Sequence, residues 1–66
     1  MKTVQLPIQE ITKGCVVQAA DGDWWRVTAT DVDLDTGTVV LTTRHTGDGR
    51  KGWIQGAVGD QRTVRR

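Results

Sequence analysis

The run Thr38-Val39-Val40-Leu41-Thr42-Thr43-Arg44 limits the fold more than any other part of the sequence. Branching at Cβ stiffens χ1 and suits a pleated strand better than a helix. Period-two alternation puts Val39, Leu41 and Thr43 on one face and Thr38, Val40, Thr42 and Arg44 on the other. The same bias runs through the chain: ten Thr and nine Val, against seven Leu and Ala together and a single Glu. Helix formers are too sparse for a long helix, and eight glycines punctuate the chain with turns. The expected class is all-β.

Size sets the next bound. Sixty-six residues make one small domain spanning 1–66. A chain this short buries only about 60% of its unfolded surface, and its core rarely supplies more than about 3–5 kcal/mol. It needs near-ideal local structure, or a partner, to stay folded. The single cysteine, Cys15, excludes an intramolecular disulfide. No apolar run approaches the roughly 20 residues that cross a bilayer, and Met1–Ile11 lacks a signal peptide's hydrophobic stretch. The expectation is a soluble, cytoplasmic protein with no membrane partner.

Along the chain, residues 1–11 read as a lead-in segment, with a short strand ending at Pro7 and one turn of helix or extended chain after it. Lys13-Gly14 is a turn, and Cys15–Ala19 a first core strand. Asp21-Gly22 between β runs is a hairpin signal. Trp24–Val32 follows, with Trp25, Val27 and Ala29 on the core face and Trp24, Arg26, Thr28 and Thr30 outside. Asp33–Gly37 is a loop, Thr38–Arg44 a strand, and Thr46–Gly52 a glycine-rich hairpin tip. Trp53–Gln55 and Gln61–Val64 complete about five short antiparallel strands, and residues 65–66 read as a frayed tail.

The sequences Lys13-Gly14-Cys15-Val16-Val17, Asp21-Gly22-Asp23-Trp24-Trp25-Arg26-Val27 and Thr36-Gly37-Thr38-Val39-Val40-Leu41-Thr42 resemble small SH3-like β-barrel proteins. In that group a turn glycine precedes a strand, and an Asp-Gly turn feeds a strand bearing tryptophan. The resemblance covers roughly residues 12–64 and implies a small, partly open barrel that binds something, with no activity attached. Phe, Tyr and Asn are absent and Arg outnumbers Lys six to three. This bias against AT-rich codons points to a GC-rich genome, such as an actinobacterium or one of its phages.

Patterns that would carry chemistry fail on their own requirements. Asp31-Val32-Asp33-Leu34-Asp35-Thr36-Gly37 alternates oxygen ligands like a calcium loop. Its glycine is one place late, however, and Thr42 stands where a bidentate Glu is required. Asp35-Thr36-Gly37 spells an aspartic-protease triplet, but that chemistry needs two carboxylates sharing a proton. Cys15 and His45 are one of each type with nothing to bring them together. There is no serine, and Gly47–Gly52 lacks the ending of a phosphate-binding loop. No cofactor, metal site or enzymatic activity is expected.

Charge and aromatic content point to binding. Residues 1–43 carry a net −3 and residues 44–66 a net +4, within a total of +1. Trp24 and Trp25 are adjacent and so face opposite ways; Trp25 is assigned to the core, and Trp24 to the surface or a cover of Leu6 and Ile8. The leading expectation is a module that binds a protein partner or itself through Trp24, Arg26, Val40, Arg44 and Trp53. The alternative is a nucleic-acid-binding barrel, with Arg44, Arg50, Lys51 and Arg62 on phosphate and Trp24 or Trp53 stacking on bases.

Overall fold

A computed structural model describes residues 2–65 and contains six strands. They are β1 (Thr3–Pro7), β2 (Val16–Gln18), β3 (Trp24–Asp33), β4 (Thr38–His45), β5 (Lys51–Ala57) and β6 (Gln61–Arg65). One 3-10 turn, Ile8–Glu10, follows β1. All strands join one antiparallel sheet in the order β1-β6-β2-β3-β4-β5. The fold is all-β, as the composition requires. No helix among the described residues is long and apolar enough to cross a membrane.

The extra strand comes from the lead-in segment. Thr3–Pro7 lies along β6, with Thr3 opposite Arg65 and Pro7 opposite Gln61. Pro7 occupies the end of an edge strand, where its missing N–H costs no ladder bond. Arg65 is paired on both sides, to Thr3 and Val16, so the expected fraying at this residue gives way to a strand. Arg66 lies outside the described residues, as does Met1.

The turns follow local chemistry. At Asp21-Gly22 the Asp21 carboxylate accepts the Asp23 N–H at 3.0 Å, and Gly22 takes φ +91°, a conformation strained for other residues. At the far end of the β3–β4 hairpin, the Asp33 carboxylate accepts the Asp35 N–H at 3.0 Å, closing the acidic loop on itself. Strand β5 begins two residues earlier than the sequence indicates, because Lys51 and Gly52 already pair with Arg44 and Thr43.

The sheet is open: β1 and β5, its two edges, form no ladder with each other. It nevertheless wraps one core of Ile8, Ile11, Val17, Val27, Val39, Leu41 and Val64. Val4 and Leu6 from one edge and Ile54 from the other pack against that same cluster. Ile8 fills the gap between the edges. Its N–H donates to the Asp60 carbonyl at 2.7 Å, and its Cδ1 lies against Gly56. Arg62 shares the inward face with Leu6 and Val64 and donates from Nη2 to the Gln55 carbonyl at 3.4 Å, reaching from β6 to β5.

Two substitutions test this packing in denaturant melts. Ile8→Ala deletes a fully buried side chain and is expected to cost about 2–5 kcal/mol, comparable to everything so small a core supplies; Leu34→Ala, at an exposed site, serves as the unaffected control. Thr43 is buried and its hydroxyl has no hydrogen-bond partner. Thr43→Val is therefore expected to raise stability by about 1 kcal/mol.

Candidate functional site

One extra residue in β3 decides which side chains share the outer surface. Arg26 pairs with Arg44 and Val27 with Thr43, but Ala29 pairs with Thr42, leaving Thr28 as a bulge. The Thr28 hydroxyl donates to the Thr42 carbonyl at 3.2 Å. Such a bulge shifts the alternation by one residue. Before it Trp25 and Val27 face inward; after it Thr30 and Val32 do, opposite Leu41 and Val39. Ala29, expected in the core, faces outward and is exposed; Thr30 and Val32 are exposed as well, because this end of β3 runs beyond the core.

The outer face then reads as rows across neighbouring strands, because directly paired residues point the same way. One row is Asp31, Val40 and Gln55; the next is Ala29, Thr42 and Trp53. The third is Arg26, Arg44 and Lys51, and it continues through Val16 to Arg65 and Thr3. Trp24 lies beyond this row on β3, opposite Gln18, with the Arg65 guanidinium 4.1 Å from its ring centroid. Trp24, Arg26, Val40, Arg44 and Trp53 thus occupy a single surface. Trp53 is 73% exposed, while its neighbour Ile54 packs against the core.

The quartet Arg44, Arg50, Lys51 and Arg62 does not stay together. Arg44 and Lys51 are adjacent in the row, but Arg62 faces inward at the edge gap. Arg50 turns to the Trp25 side, 5.4 Å from that ring, and pairs with Asp23 and Asp48 at 3.7 Å. The cover over Trp24 also differs from expectation: Ile8 belongs to the core, Leu6 packs against it, and Arg65 takes the ring. Arg65 is the surface residue that sequence reasoning passed over. Alternation about the apolar Val64 could have placed it opposite the core.

Like charges set directly opposite one another repel across a ladder. Arg26, Arg44 and Lys51 stand in that relation, and no carboxylate among the described residues forms an ion pair with them. Among the described residues their one side-chain hydrogen bond runs from Arg44 Nη1 to the Gly49 carbonyl at 3.0 Å. The ion pairs between described side chains lie around the β4–β5 turn, where Arg50 meets Asp23 and Asp48. Asp31 shares the outer face, two rows away from the cations.

That turn is organised by His45. Its Nδ1 accepts the Gly47 N–H at 3.0 Å and the Asp48 N–H at 3.3 Å, which leaves the ring hydrogen on Nε2, 3.3 Å from Asp23. The Arg50 N–H, bonded to the Asp48 carboxylate at 3.0 Å, holds that carboxyl below its ordinary pKa. The Trp25 and His45 rings stand perpendicular, 4.9 Å apart between centroids. Cys15 lies elsewhere, half-buried, with its sulfur 3.7 Å from the Thr12 hydroxyl.

No protein-family model, curated protein or solved structure matches this chain.

The inner and outer faces of β5 can be tested separately. A Cβ on Gly52 would stand 2.8 Å from the Trp25 ring, so that ring occupies the space a side chain would need. Gly52→Val is expected to cost about 1–3 kcal/mol by overpacking and to change Trp25 emission. Trp53→Ala, on the exposed face, is expected to stay within about 0.5 kcal/mol of the native stability.

Proposed function

We propose that this protein is a non-enzymatic binding module that receives an anionic partner on the outer face of β3, β4 and β5. The observation that carries the reading is the row Arg26, Arg44 and Lys51, unpaired with any carboxylate among the described residues. Such a row costs stability in the free protein, and an arriving anion relieves the repulsion. The flanking tryptophans supply contact area of the kind that dominates recognition surfaces.

We also read the wrapped sheet as an SH3-like barrel left open between β1 and β5. Supporting this are the side chain of Ile8 between the edges and the Arg62 bond to Gln55. A second functional reading is a protein partner or self-association through the same face. It is favoured by Val40, in the row next to the 73% exposed Trp53. Light scattering that gives a dimer, abolished by Trp53→Ala, would establish the self-association form.

The anionic reading is tested by salt elution from immobilised heparin. Arg44→Glu is compared with Lys13→Glu, which makes the same change of charge at an exposed residue outside the row. Arg44→Glu is expected to elute at much lower salt than the native protein, and Lys13→Glu close to it. Equal losses for the two variants would mean that only total charge matters, which overturns a localised site.

A further inference from the structure

We infer that the anionic partner is a single-stranded phosphodiester chain laid across the strands, along the row from Lys51 to Arg65. This rests on the reading of the outer face as an anion site. Lys51, Arg44, Arg26, Val16 and Arg65 lie on five neighbouring strands, β5, β4, β3, β2 and β6. With strands about 4.8 Å apart the row extends on the order of 20 Å. Cations repeated along a line match anions repeated along a polymer. A single phosphate or a single carboxylate would engage only part of it.

Tryptophan placement selects the kind of polymer. Trp53 follows Lys51 by two residues on β5, and Trp24 precedes Arg26 by two residues on β3. Because β3 and β5 run the same way, both antiparallel to β4, the two indoles flank the row on opposite sides. Each stands about 7 Å from the row along its own strand, within reach of a base whose phosphate sits on the cations. Trp24 already carries the Arg65 guanidinium on its ring, whereas Trp53 is 73% exposed. Trp53 is therefore the stacking platform, and the Trp24–Arg65 pair holds one end of the backbone track.

A duplex keeps its bases stacked and offers none to Trp53, and a sulfated sugar has no π-face to stack. Asp31, two rows from the cations beyond Trp53, repels phosphate and limits the footprint to the row and its nearer flank. The chemistry that fits these residues is that of base plus phosphodiester, shared by single-stranded DNA and RNA.

The test is a titration of the full chain with short oligo-dT, short oligo-rU, a matched DNA duplex and a heparin oligosaccharide, followed by anisotropy of labelled ligands. Both single strands, or one of them, should bind more tightly than the duplex, and the stronger identifies the source. With three to four phosphate contacts, log K should fall against log salt with a slope of about −2 to −3. Trp53→Ala should weaken single-strand binding by about fivefold or more and heparin retention far less, and Arg44→Ala should weaken both. Duplex or heparin binding as tight as oligo-dT and oligo-rU, with no effect of Trp53→Ala, would overturn the single-strand assignment and leave the anionic face standing. No binding to either oligonucleotide, with heparin retention intact, would overturn it equally. Loss of specific heparin retention as well would remove the underlying site.

Discussion

The register of β3 and β5 against β4 is the constraint on which the rest depends. Strand β4 alternates strictly, sending Val39, Leu41 and Thr43 into the core and Val40, Thr42 and Arg44 outward. Its neighbours must match that phase residue by residue. Strand β5 does so without interruption, and β3 does so by bulging at Thr28. A slip of one residue on either side would exchange buried and exposed sets. Without the bulge, Ala29 would face inward, and Thr28 and Thr30 would replace Ala29 and Asp31 as the β3 neighbours in the outer rows around Trp53.

The outer face keeps uncompensated charge, whereas the gap on the inner side of the sheet is filled. Ile8 and Arg62 fill and bridge the gap between the sheet edges, so the core is enclosed without a closing ladder. Around the β4–β5 turn the cation is compensated, with Arg50 between Asp23 and Asp48. The Arg26–Arg44–Lys51 row is treated differently, left without acids where a monomer gains by having them. A small domain with only a few kcal/mol of net stability does not improve its own folding with such an arrangement. In the proposed function, an anionic partner relieves the repulsion along that row.

Much of the fold was legible in the sequence. Asp21-Gly22, the loop ending at Gly37 and the alternation of residues 38–44 gave the central hairpins, since each depends on near neighbours only. The choice of Trp25 over Trp24 for the inner face followed from the same parity, and Trp25 packs against the core. The role of the lead-in was less visible. Thr3–Pro7 becomes a strand because β6, nearly sixty residues along the chain, offers it a partner. Ile8 and Ile11 are buried because the open edge needs filling, and no local pattern announces that.

The sequence by itself determined the class of structure and the two-faced strands, because side-chain branching and period-two alternation act within a few residues. It also supplied candidates for the outer surface, with Trp24, Arg26, Val40 and Arg44 placed by parity, while parity alone left open which of Trp53 and Ile54 faces the core. Only the tertiary structure decided which cations stand together. It moved Arg50 to the Trp25 side and Arg62 to the interior, and brought Arg65 into line with Arg26. Strand order and register are set by non-local burial and hydrogen bonding, and those fix the distance between charges far apart in sequence.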